Sequence, residues 1–238
     1  MIMLQNGNSE LVINPDGGRI ESLKLDGHHI LVSVTRGDGK KGSTHPCSPI
    51  FGPETTTAFG LSQHGPVRTT VMETHHQSKD SVTLTAEIKQ GSYPESVFIE
   101  QLFELGPQSL IITTTHINNG SQAVPVNFGE HFYWSTPRGW NTITLNKVAV
   151  ADKVKSNGTA PLDKVNVIEI EGLPLIRLEQ SGMNTAVLWA YKKTYGTFDT
   201  DYACIEPAEG DPMADYFGTK ESLIAPNTHR VTTLHISI

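Results

Sequence analysis

Apolar residues along this chain recur with a period of two, in short runs broken by glycine, proline and asparagine. Residues 81–89 show it most clearly. Val82, Leu84, Ala86 and Ile88 fall on one face, and Thr83, Thr85 and Glu87 on the other, the alternation of a half-buried strand. The same reading predicts strands over 9–14, 19–25, 30–32, 97–105, 110–117, 124–134, 142–150, 165–170, 175–178, 186–191, 201–206 and 231–238. Turn signals separate most of them: Asp16-Gly17-Gly18, Asp26-Gly27, Gly106-Pro107 and Asn118-Asn119-Gly120. The last reads as a hairpin turn, because asparagine and glycine tolerate left-handed backbone. Residues 35–57 are rich in Gly, Pro, Ser and Thr and read as a long ordered loop, since prolines forbid a regular central strand. Loops of this length in a compact domain are usually functional. Asp211-Pro212 opens the one short helix expected, over 211–216, with Gly218 to end it.

No helical periodicity is long enough for a major helix. A dozen or more strands are too many for one open sheet, so the expected fold is all-β: a single domain over 1–238 built from two large, curved, mostly antiparallel sheets packed as a sandwich. The chain has 238 residues, within the range of one all-β domain.

Charge and cysteine content narrow the functional classes. The net charge of −7 comes with no basic stripe, only the isolated pairs Lys40-Lys41 and Lys192-Lys193, which speaks against a nucleic-acid partner. No apolar run approaches the ~18 residues of a membrane helix, and residues 1–8 lack the pattern of a signal peptide. The expectation is a cytoplasmic protein with no membrane partner, monomeric or homodimeric. Cys47 and Cys204 are distant in sequence and read as small buried apolar residues. Ten histidines raise the question of metal. The adjacent pairs His28-His29 and His75-His76 would point to opposite faces of a strand, and no HxxxH or HExxH spacing occurs, so no metal is expected. GxSxG elbows and phosphate-binding glycine loops are also missing.

Three titratable residues stand beside glycine, proline or aromatics. Glu206, in Tyr202-Ala203-Cys204-Ile205-Glu206-Pro207, is either an end-of-strand surface residue or a positioned carboxylate. His131, in Gly129-Glu130-His131-Phe132-Tyr133-Trp134, is either a half-buried core histidine or an acid–base group that titrates near neutral pH. His64, in Gln63-His64-Gly65-Pro66-Val67-Arg68, reads as a turn residue or a third member of a site. A carboxylate and two imidazoles gathered by a β fold would make a general acid–base site.

These motifs, with Gly17-Gly18-Arg19-Ile20-Glu21-Ser22-Leu23, residues 27–31 and 46–52, and Leu223-Ile224-Ala225-Pro226-Asn227, occur in an order that resembles the aldose 1-epimerase (galactose mutarotase-like) family, including its hexose-6-phosphate mutarotase branch. The resemblance implies a β-supersandwich that interconverts the α and β anomers of a monosaccharide or sugar phosphate without a cofactor. By that resemblance Glu206 is the general base at the anomeric hydroxyl, His131 the general acid at the ring oxygen, and His64 a substrate ligand. Arg68 follows His64 as in the phosphate-sugar branch, and Asp199 and Asp201 are the candidates for a substrate-orienting aspartate. Residues 49–61 lack the arginine that family members often carry ahead of the first histidine. The competing classes are a non-catalytic carbohydrate-binding β-sandwich and a glycoside hydrolase, which would need a second opposed carboxylate.

Overall fold

The computed structural model describes residues 1–52, 58–94, 96–150, 159–191, 201–212 and 216–238. Among these residues the strands form one sheet of ten and one of nine, every strand pairing antiparallel, with two small two-stranded ribbons. The nine-stranded sheet is built on the long strands Ser81–Glu87, Val97–Leu105, Ser109–Asn118 and Thr228–Ser237, whose alternate positions are buried. The ten-stranded sheet starts with Ile2–Asn6, Ser9–Asn14, Arg19–Leu25 and His28–Val32 and continues through Tyr133–Ser135, Tyr202–Ala208 and Gly129–His131 to His45–Cys47. Strand Tyr202–Ala208 also pairs with Thr185–Trp189, which pairs in turn with Thr159–Asp163.

One core fills the space between the sheets. Val82, Leu84, Ile99 and Phe103 from one sheet belong to the same buried cluster as Leu4, Leu11, Phe132 and Trp134 from the other. Each fully buried large apolar side chain contributes about 1.5–3 kcal/mol, so the two apolar faces hold the sandwich together.

An antiparallel sheet usually leaves one face in water. Strand Tyr202–Ala208 is instead buried at every position. Ala203 and Ile205 enter the core, and the indole Nε1 of Trp134 donates to the Ile205 carbonyl at 3.0 Å. On the opposite face Tyr202 and Cys204 are buried in a second cluster with Tyr133, Val34 and Trp189, while Glu206 reaches the base of a cleft.

Several sequence expectations are corrected. The 35–57 segment is partly strand: Val34–Thr35 pairs with Lys41–Gly42, and His45–Cys47 takes a sheet edge, where Pro46 needs no second partner for the N–H it lacks. Asn118-Asn119-Gly120 closes no hairpin, because Ser109–Asn118 is already paired on both sides, with Val97–Leu105 and Thr228–Ser237. There the Asn118 amide donates to the Gln122 and Ile224 carbonyls and turns the chain out of the sheet. The predicted strand 124–134 is three short strands, and 142–150 is broken by the left-handed residues Asn146 and Lys147. Strand Thr159–Asp163 is additional. The predicted helix 211–216 falls in part outside the described residues.

Glu130 points into the core, where it is 2% exposed. The Gln101 amide donates to it at 2.6 Å and also to the Thr114 hydroxyl at 3.1 Å. Burial outweighs that hydrogen bond and lifts the Glu130 carboxyl to about 8. A raised carboxyl binds its proton more tightly when folded, so its contribution to stability is complete below the unfolded value and is lost as pH rises through about 8. Glu130→Gln keeps the acceptor and removes the titration. The stability of the wild type relative to this variant falls by up to about 1.4 kcal/mol per pH unit between pH 5 and pH 8. Denaturant unfolding across that range checks this, and a difference between the two proteins that does not change with pH overturns it.

Candidate functional site

Strand pairing assembles the site. Along the strands Gly129–His131 and Tyr133–Ser135 and the residue that joins them, Phe132 and Trp134 enter the core, so the alternation turns His131 and Tyr133 to the other face. His131 pairs with His45, Tyr133 with Cys204, and Val187 with Glu206. Side chains from five strands thus converge on one patch. His64 arrives from a turn. Its own φ is +60° and that of Gly65 is +70°, and a Cβ on Gly65 would stand 2.0 Å from the Ser48 carbonyl oxygen. Only glycine allows this approach, which seats His64 against the floor.

The patch lines a cavity of about 480 Å³. At its base, His131 Nε2 lies 3.3 Å from Glu206 Oε1, with Glu206 3% exposed and His131 7%. The two atoms touch without the alignment of a hydrogen bond, which leaves Glu206 Oε1 with no hydrogen-bond partner among the described residues; His131 Nδ1, on the other side of the ring, has none either. His131 is stacked between His45, at 4.9 Å, and Tyr133, at 5.1 Å, and His64 meets it edge-on at 5.3 Å.

The surroundings fix the protonation of these rings. Burial, then the neighbouring His45 and His64, push His131 well below the usual imidazole range. Burial pushes His64 down to about 3, with Arg68 adding to the effect. The Gly52 N–H donates to His64 Nδ1 at 3.4 Å, so the neutral ring carries its proton on Nε2. His45 Nδ1 donates to the Ser43 carbonyl at 2.8 Å, which leaves Nε2 as an acceptor. Desolvation drives Glu206 well above the usual carboxylate range. Burial therefore favours the neutral forms of both members of the central pair.

The upper wall is cationic. Arg19, Arg36, Lys40, Lys41 and Arg68 all line the cleft, although the protein as a whole carries a net charge of −7. Arg36, Lys40 and Lys41 come from the strap around Val34–Thr35 and Lys41–Gly42. Gly42 lets the strap lie against Tyr133, because a Cβ there would meet the ring at 2.4 Å. Arg36 packs on Trp189 and Tyr191 at 5.4 and 5.5 Å. Burial opposes its charge, but Asp38 and Tyr133 outweigh burial and hold the guanidinium above the ordinary arginine value. Lys41 reaches Glu21 at 2.6 Å, and Arg19 donates to the Arg68 carbonyl at 2.8 Å.

The structure brings together His64, Arg68, His131 and Glu206 as the sequence suggested. Asp201 does not join them. It is exposed, its carbonyl accepts from the Thr136 N–H, and it precedes the strand by whose far half Glu206 enters the cleft. Asp199 lies outside the described residues. Sequence reading missed His45, Arg36 and Trp189. His45 and Arg36 sit in the segment read as a loop, whose length was the signal of a functional role. Trp189 sits on a strand where an indole reads as core.

Comparison with known proteins bears on the fold and the family. The family model for aldose 1-epimerase matches residues 1–179. That span includes His64 and His131, and Glu206 lies beyond it. Comparison with curated proteins gives no match. Among solved structures, a galactose mutarotase-like protein from Lactobacillus casei ATCC 334 superposes with a TM-score of 0.79 at 14% identity, covering 100% of this chain and 99% of that one. The galactose mutarotase related enzyme from Lactobacillus acidophilus gives 0.78 at 14% identity, covering 99% and 96%. A galactose mutarotase-like protein from Clostridium acetobutylicum gives 0.72 at 16%, covering 98% and 93%. At these identities the structures establish the fold, and the sequence match over residues 1–179 carries the relationship: this chain belongs to the aldose 1-epimerase family.

Proposed function

We propose that this protein is a mutarotase acting on a hexose or hexose phosphate, with Glu206 and His131 as its acid–base pair. The observation that carries the reading is the buried 3.3 Å contact between Glu206 Oε1 and His131 Nε2 at the base of a sugar-sized cavity. Ring opening needs a base for the anomeric O–H and an acid for the ring oxygen, both within reach of one C–O bond. Glu206 takes the hydroxyl proton and His131 protonates the ring oxygen. The C1–C2 bond of the open chain rotates, and closure runs the transfers backwards.

Proton counting explains why burial suits this chemistry. The charged pair that begins ring opening and the neutral pair that accompanies the open aldehyde hold the same single proton. Desolvation favours the neutral pair in the empty cleft. The bound sugar's dipoles then have to stabilise only a shift of one proton between partners already in contact, with no net change of charge. Neutral His64, with its Nε2–H, is a donor for a sugar oxygen, and Trp189 offers a ring face for sugar C–H bonds.

Among the described lining residues Glu206 is the one carboxylate, which favours this reading over a glycoside hydrolase. The five cations on the wall favour a sugar that carries an anionic group.

Polarimetry or anomer-resolved NMR on freshly dissolved α-hexoses, and on hexose phosphates generated in place, tests the activity. Glu206→Gln and His131→Ala each lower kcat by ~10²–10⁴-fold with the fold retained. Wild-type rates in both variants would reject the site, and binding without acceleration of any sugar would leave a carbohydrate-binding protein instead.

The pair also sets a pH signature. Its apparent values belong to both groups together. Adding a second proton requires the depressed imidazole to charge, so the acid limb of kcat/KM lies below about 6.5, the ordinary histidine value. An acid limb at or above that value is incompatible with a buried His131 as partner. For the cationic wall, Arg68→Met raises KM for a hexose phosphate about tenfold, the equivalent of about 1.4 kcal/mol, and leaves an uncharged hexose unaffected. Equal effects on both substrates would mean that Arg68 acts only on structure.

A further inference from the structure

Just beneath the floor of the cleft lies a feature that acid–base catalysis does not use. Cys204 lies two residues before Glu206 on the same face of Tyr202–Ala208, and it is fully buried. The thiol of Cys204, an imidazole nitrogen of His131 and a carboxylate oxygen of Glu206 all lie within 4.8 Å of one another. The other cysteine, Cys47, packs in a separate cluster with Phe51, Val187 and Ala208.

We propose that His131, Cys204 and Glu206 form a binding site for a thiophilic divalent cation of the Zn²⁺ type, and that its occupancy stops catalysis. The inhibitory consequence rests on the mutarotase reading, whereas the binding does not. Sulfur, nitrogen and oxygen from one residue each make a donor set that suits zinc and its transition-metal neighbours rather than magnesium or calcium. One pair of the three already stands at the separation such an ion requires, and the thiol, within 4.8 Å of both, closes in to the ~3.6 Å of a metal-bound sulfur and its neighbour. With bonds of ~2.0–2.2 Å to nitrogen and oxygen, tetrahedral ligands stand about 3.4 Å apart. The measured separation between His131 Nε2 and Glu206 Oε1 is 3.3 Å.

An independent observation points to a ligand at this place. Glu206 Oε1 is buried and aimed into the cluster, with no hydrogen-bond partner among the described residues. A buried polar atom left this way costs free energy that a cation at the cluster would recover. Three protein ligands leave a fourth position, which faces the cavity that His131 and Glu206 line. Binding replaces the Cys204 S–H bond by S–metal and the Glu206 O–H bond by O–metal, and both protons leave to solvent through the cleft. The His131 lone pair and the Glu206 oxygen needed for proton transfer are then held by the ion. No oxidant or reductant is involved.

Co²⁺ alone is the probe, because a cobalt–thiolate bond gives a charge-transfer absorption that does not depend on turnover. Titration of the full chain is expected to saturate this band at one Co²⁺ per protein, and Zn²⁺ should abolish it by displacement. Cys204→Ala should lose the band, keep anomerase activity, and require at least tenfold more Zn²⁺ for half-inhibition. If Cys204→Ala does not fold, the isosteric Glu206→Gln carries the binding arm, with Co²⁺ affinity expected to drop at least tenfold. The proposal is overturned if the wild type shows no thiolate band, if the band persists in Cys204→Ala, or if Glu206→Gln binds Co²⁺ unchanged. A wild type that shows the band but accelerates no sugar would uphold the metal site and reject the mutarotase reading.

Discussion

Desolvation of a carboxylate and an imidazole in contact is the constraint on which the site depends. Taken singly, each charge would be expensive to bury, and each group answers by moving toward its neutral form. Taken together, their neutral forms hold one proton; in the proposed reaction it moves between the two partners, and a low-dielectric floor would make that movement sensitive to whatever lies above it. The sandwich provides this environment because Tyr202–Ala208 is covered on both faces, by the hydrophobic core below and by the loops and strap above.

The same construction separates two electrostatic zones. Neutral histidines stacked around His131 form the floor, while guanidinium and ammonium groups line the wall. The Arg36 side chain shows how a charge is kept near such a floor. Its flat face rests on Trp189 and Tyr191, its edge is held by Asp38, and so it stays charged despite partial burial. A substrate with an uncharged reacting end and an anionic end would find both zones in one cavity. The contact that suits proton transfer also suits a cation, since a lone pair able to accept a proton can equally bind a metal, and Cys204 adds a third donor.

Glu130 marks the opposite side of this arrangement. It adjoins His131 in sequence, but strand geometry sends it into the core, where the Gln101 amide, which also reaches Thr114, satisfies it. Neighbouring titratable residues thus end in unrelated environments, one facing the cleft and the other the interior. A resemblance at the level of a short motif does not distinguish their roles, whereas the pleat of the strand does.

By itself the sequence determined the alternation of Val82 to Ile88, most strand positions, the two-sheet architecture, and the short motifs that hold His64, His131 and Glu206. These are local properties, written in period-two patterning and in glycine and proline punctuation. Partnership was decided by the tertiary structure. That Asn118-Asn119-Gly120 turns away from a hairpin, that Pro46 occupies an edge, that His45 and Arg36 reach the cleft and Asp201 does not, and that Cys204 and Glu206 come within reach of His131 all follow from which strands lie side by side. The physical reason is that a strand's own residues fix only which face each side chain takes. What covers that face, and so whether an ionisable group meets water, core or another ionisable group, depends on segments far away in the chain.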